Sequence, residues 1–492
     1  MAEVTARPAA RRDARAAGGA GARGLGRLGE WLARPRGAYL LVVPDDARAR
    51  LARGWLALAL AAIIGAGLYS ILLVVSRTPG LAGLFPVENF FRVALVVHVD
   101  LSVLVWFVAI AGIFWSLNST RRWTAFGWAA LASTVAGTAL MTAAPFAQRA
   151  EPVMANYIPV LDGAVFLGGL AAMGAGVAML CVRGMVAVPR VGTRLDGAAA
   201  LRFGLNSSVV ATAVALAAFA WSWIEVPRGL EGQAYYELLF WGGGHVLQFA
   251  WTLLMMVSWL WLASAIGAPV PLTPRVAALL FAVALVSVFA TPLIYLAYAV
   301  PSVEHYRLLT WLMRFGGGLA MLPMMLAVTV ALVSARGLDV QQRPLRAALA
   351  SSLVLFAVGG LIGFTIEGSN VRIPAHYHGS IVGVTLAFMG VVYHLLPRLG
   401  YRAPAGRLAT WQPYVYGAGQ LMHVAGLLWS GGYGVQRKVA GSEQVLRTTS
   451  EVVGMGFMGL GGLVAIAGGV LFLVVVLRCM TGGRARAAGT PA

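Results

Sequence analysis

The chain has 492 residues, of which 59% are hydrophobic and 11% charged, and its mean hydropathy is +0.79. A chain this apolar and this long cannot hide its hydrophobic residues in one globular core, so a soluble protein is excluded and an integral membrane protein is expected. The formal net charge of +19 sits at helix ends and in the N-terminal tail rather than in one patch, which argues against a nucleic-acid partner.

Residues 1–50 open the chain as a basic, disordered cytoplasmic tail, its first 37 residues rich in Ala, Arg and Gly, suited to lie near anionic lipid. Twelve apolar runs follow, at 51–76, 92–117, 124–148, 158–183, 207–224, 238–263, 275–299, 312–335, 346–367, 374–397, 411–430 and 453–477. Each is long enough, at about 18 residues or more, to cross roughly 30 Å of hydrocarbon as a helix. The expected fold class is therefore an all-α bundle of twelve transmembrane helices, with 51–478 as one membrane domain in the lipid bilayer and 479–492 as a short cytoplasmic tail. Arginines such as Arg121, Arg194, Arg275, Arg343, Arg402 and Arg478 fall in alternate connections, and acids such as Glu151, Glu231, Glu304, Glu367 and Glu443 fall in the others. The positive-inside rule then places both termini in the cytoplasm, and a bacterial inner membrane is the expected location. One outer loop departs from the pattern with Arg437, Lys438 and Arg447. Cys181 and Cys479 lie near inner helix ends and are not expected to pair, and no CxxCH motif offers covalent haem attachment.

The stretch RIPAHYHGSIVG, residues 372–383, puts His376 and His378 at the start of the tenth run. Residues two apart on a helix point about 200° apart, so the two imidazoles cannot share one metal ion but can serve two cofactors on opposite sides. A pair of haems flanking one helix gives both a purpose; interfacial histidines bonded to water are the plain alternative. His98 lies about six residues into the second run and His245 about seven into the sixth, which places all four at similar depth in the outer third of the membrane at about 1.5 Å per residue.

With these residues in view, the chain resembles subunit I of the haem–copper oxidase superfamily, which includes cytochrome c oxidases and nitric oxide reductases. The resemblance covers essentially all twelve spans and rests on HVDLSVLVWF in span two, NYIPVLD opening span four, FWGGGHVLQF in span six and AHYHGSIVGVTLAFMGVVYHLLPRLG in span ten. It implies that His98 and His378 ligate a low-spin haem iron and that His376 holds a high-spin haem able to bind a gas. It also implies that Arg437 and Lys438, in GYGVQRKVAG, meet the haem propionates.

The chain departs from this pattern at the second metal. His245 matches the first of three expected histidines, but the stretch that should carry the adjacent pair is Leu293-Ile294 or a close neighbour. One imidazole is a poor copper or iron site, so His245 reads as a vestigial copper ligand or a distal haem residue donating a hydrogen bond to a bound gas, and copper is doubtful. Glu304 and His305 come about ten residues too late for that slot and read as a solvated outer loop. Gln248 and Phe249 stand where some oxidases carry a glutamate or a metal-linked tyrosine, and Tyr295 and Tyr298 read as packing residues. Span eight carries Thr329 but no lysine for a proton path, and His394 and His423 read as structural.

The resemblance implies an oxidoreductase of the terminal oxidase or nitric oxide reductase kind, carrying two haems. It would take electrons from a partner subunit, cytochrome c or quinol, and pass them through the low-spin haem to the high-spin haem that meets O2 or NO. The alternative is a dihaem membrane protein without turnover that relays electrons or senses a gas.

Overall fold

The computed structural model describes residues 38–482 apart from 80, 82–87, 190, 192–193 and 440–442. Of the expected tails at 1–50 and 479–492, residues 1–37 and 483–492 lie outside the described residues, and 479–481 belong to the last helix. In chain order the elements are α1 (Ala47–Arg77), α2 (Glu88–Val99), a π-helical turn (Asp100–Val105), α3 (Trp106–Leu117), α4 (Thr124–Ala147), β1 (Glu151–Val153), β2 (Val160–Asp162), α5 (Ala164–Val186), α6 (Gly197–Glu225) and α7 (Gly232–Ala265). There follow α8 (Pro274–Val288), α9 (Ala290–Ala297), α10 (Val303–Gly316), α11 (Gly318–Ser334), α12 (Gln342–Gly363), α13 (Arg372–Leu395), α14 (Gly406–Gly432) and α15 (Thr449–Thr481).

Helices dominate because a segment in lipid must satisfy its own backbone hydrogen bonds. Their exposed starts carry side-chain caps: Asp46 accepts from Arg48 N, Asp196 from Ala199 N and Thr273 from Val276 N, and Thr448 with Glu451 forms a capping box. Large apolar residues such as Phe146 at 77% and Leu296 at 73% exposure stand on the outside, where water would penalise them and lipid does not.

Eleven stretches among the described residues are long and apolar enough to cross a membrane, and the protein reads as an integral membrane protein. The expected span at 411–430 is the 27-residue α14; it is not among those eleven, and it packs against α12, α13 and α15. Other boundaries move for physical reasons. NYIPVLD does not open the fourth span: Val160–Asp162 pairs with Glu151–Val153 as an antiparallel hairpin, and the helix starts at Ala164. The seventh span is interrupted between α8 and α9, and the eighth between α10 and α11. The expected tail reaches too far, since Tyr39 is fully buried, its backbone N–H donates to Ser264 Oγ at 2.9 Å and its hydroxyl to Leu272 O at 2.8 Å.

The helices that carry the motif histidines are locked together by aromatic packing. Phe107 on α3 lies edge-on to Trp251 of α7 at 5.6 Å and to Phe388 of α13 at 5.4 Å. Trp259 Nε1 on α7 donates to Ser352 Oγ at 2.8 Å, and Ser352 Oγ donates onward to Gly383 O at 2.6 Å, tying α7 to α12 and α13. In both α7 and α13 the most apolar stretch is 83% buried, the most of any span, so these two form the centre of the bundle.

Candidate functional site

His98 ends α2, just before the π-helical turn, a local widening that is frequent at functional positions. Its Nδ1 lies 2.9 Å from Ala66 O on α1. A carbonyl oxygen only accepts, so Nδ1 carries the proton and Nε2 is left unprotonated with its lone pair free, the arrangement found in most metal-bound histidines. His376 shows the same arrangement on α13, with Nδ1 2.7 Å from Gly359 O of α12. The carbonyl reaches the ring because α12 and α13 cross on glycines: a Cβ at Gly359 would strike Ser380 N, and one at Gly379 would strike Gly359 Cα.

His378 faces a different set of neighbours. Its ring lies 4.7 Å from that of His423 on α14, and His98 is within electrostatic reach of both. The Gln420 side chain, one turn before His423, faces His378, and its Oε1 is buried without a hydrogen bond. The two rings thus turn to different neighbours: His376 to α12, and His378 to α14 and His98. His423, expected to be structural, stands with the second group.

His245 is 2% exposed on α7. Its Nδ1 lies 2.7 Å from Trp241 O, so Nε2 is unprotonated, and Tyr157 Oη donates to it at 2.9 Å. Here His245 accepts a hydrogen bond, rather than donating one as expected of a distal haem residue. The three glycines before it make the room: added Cβ atoms at Gly242, Gly243 and Gly244 would run into Tyr295, Phe219 and Tyr157. Leu293 is 65% exposed and points away from this cluster. His305 is not in a solvated loop; it is 1% exposed in the first turn of α10, capped by Ser302 Oγ and edge-on to Tyr295 at 4.6 Å, with Nε2 unbonded. Glu304 beside it is exposed. Among the described residues no three His, Cys, Asp or Glu side chains converge as a metal site.

Arg437 and Lys438 lie on the loop before α15, which bridges Asn370 through Gln436 and so sits over the start of α13. Arg437 Nε donates to Ser369 Oγ at 3.2 Å; Lys438 Nζ donates to Met154 O and, at 3.3 Å, to Asn156 Oδ1. Lys438 holds a left-handed backbone at φ 63°, a conformation disfavoured for lysine and more frequent where function demands it. Sequence reasoning missed two further cations here. Arg77, at the end of α1, is with Arg437 in electrostatic reach of Tyr377, the residue between the two histidines, and Arg372 leaves a buried Nε unbonded. Among the described residues none of these four has a carboxylate within 4 Å. Glu237 is within electrostatic reach of Lys438, and Asn156 bonds both.

Asp100, also missed, is 2% exposed in the π-helical turn with both carboxylate oxygens unbonded. The signal was present in HVDLSV, since an ionisable group inside a span is costly and functional by default. His394 is structural in appearance, 4% exposed, edge-on to Trp261 at 5.4 Å and capped by Arg398.

No family model matches the sequence. Two uncharacterised proteins resemble it: one of Rickettsia prowazekii (strain Madrid E), 29% identical over 87% of this chain and 96% of that protein, and one of Aquifex aeolicus (strain VF5), 27% identical over 73% and 88%. Among solved structures, a haem–copper terminal oxidase determined as a dimer superposes with a TM-score of 0.71 at 16% identity, over 90% of this chain and 86% of that one. The chain thus shares the fold of a haem–copper terminal oxidase.

Proposed function

We propose that the protein is a membrane oxidoreductase that binds two haems and passes electrons from a low-spin to a high-spin centre. The observation that supports it most is the orientation of the imidazoles. His98 and His376 each commit Nδ1 to a backbone carbonyl and free Nε2, and His376 and His378 face opposite sides of α13. The donor set fits the cofactor: His98 with His378 for a low-spin haem, His376 for a haem with one open position, and Arg437, Lys438, Arg77 and Arg372 for propionates. The bound haems would supply one-electron chemistry and, at the open iron, a place for O2 or NO. The protein's own residues hold the imidazoles in the ligating tautomer, neutralise acidic groups at the outer surface and, through the aromatic clamp on Phe107, keep α3, α7 and α13 at fixed spacing. Electrons would arrive from a partner subunit, cytochrome c or quinol.

A second reading, a dihaem relay or gas sensor without turnover, is favoured by the Tyr157–His245 bond and by Leu293 pointing outward, which leave His245 without the partners a second metal needs. A reduced-minus-oxidised spectrum of the purified protein, recorded with and without CO, tests the proposal. Two haems, one CO-reactive, are expected; a protein with no haem, or with none that binds CO, overturns it.

A further inference from the structure

His423, like His305 and His394, has no task in the two-haem reading. Its Nδ1 lies 3.0 Å from Met458 O on α15. The two helices come close enough because Gly461 and Gly462 put no side chain between them: a Cβ at 461 would strike His423 N, and one at 462 would lie 3.4 Å from Nδ1. With Nδ1–H donated to the carbonyl, Nε2 carries the lone pair. This is the pattern of His98 and His376, on a ring 4.7 Å from His378 and tilted 58° to it. An imidazole in an apolar span is expensive and functional by default.

We infer that His423 is a second haem-ligating imidazole beside His378, one that would hold the low-spin haem together with His98 where His378 is lost. The inference rests on the two-haem reading. Either ring would supply one neutral imidazole nitrogen to the haem, so the replacement needs no proton or electron. Gln420, one turn before His423, faces His378 from the same helix.

The test uses the full-length protein purified with its haem, and four variants: His98→Ala, His378→Ala, His423→Ala and the double variant His378→Ala/His423→Ala. The readouts are the low-temperature electron paramagnetic resonance of ferric low-spin haem and, in the same sample, the CO difference spectrum, which reports that the bundle is intact. His378→Ala should keep about half or more of the low-spin intensity with shifted g values, and the double variant less than about one twentieth. His423→Ala should keep the signal of the parent. Loss of the low-spin signal in His378→Ala as complete as in the double variant, with CO binding retained, overturns the inference while leaving the two-haem reading in place. A low-spin signal that survives His98→Ala overturns the reading itself. Should His378→Ala lose CO binding as well, His378→Gln takes its place and is judged by the same outcomes.

Discussion

Tyr157→Phe removes one oxygen and keeps the ring that packs over Gly244 and lies edge-on to Trp241 at 5.7 Å. What is lost is the 2.9 Å bond to His245 Nε2, and what is left is a bare nitrogen on a residue only 2% exposed. Side-chain hydrogen bonds inside membrane proteins are worth about 0.6 kcal/mol on average and about 1.7 at most, while an unsatisfied buried group costs about 1–3 kcal/mol. The variant should therefore be less stable by about 1–2 kcal/mol, roughly 5–30-fold in the folded-to-unfolded ratio. Unfolding in detergent micelles, run as a double-mutant cycle with His245→Leu, isolates the pair: the coupling should reach about 0.6–1.7 kcal/mol. A Tyr157→Phe protein within about 0.3 kcal/mol of the parent, or a coupling below that value, would refute the claim that this bond holds His245.

His376→Ala should abolish CO binding while leaving the low-spin spectrum, because the other face of α13 is untouched; an unchanged CO difference spectrum would sink that assignment. Elemental analysis should find two haem irons and less than about one tenth of an equivalent of copper or further iron, since losing even supporting groups around a metal costs about 10–100-fold in affinity; stoichiometric copper lost in His245→Ala would point to ligands such as His305. Burial, helped by the Arg437 charge, brings Lys438 down to about 8. Its grip on an acidic cofactor should then weaken as pH rises through about 8, visible as faster haem loss to an acceptor protein, and the effect should vanish in Lys438→Arg. In the cofactor-free chain the sign reverses: a depressed lysine penalises the folded state most below about pH 8, and the penalty is relieved as pH rises toward the ordinary lysine value.

The membrane class, the positions of nearly all spans and the opposite facing of His376 and His378 were legible in the sequence, because hydropathy and the 100° turn per residue are local properties of a helix. The tertiary structure decided what no local pattern encodes: which distant groups meet. His423 joins His378 across 45 positions because α13 and α14 pack side by side, and Tyr157 reaches His245 across 88 because NYIPVLD leads into a hairpin instead of a helix. His305, a loop residue by its spacing, is buried because Ser302 caps a helix there and turns the imidazole toward Tyr295. Each of these contacts depends on how two distant segments approach; where helices close on small residues, as Gly359 and Gly379 let α12 and α13 do, that distance is set by a pairing that appears only once the bundle has formed.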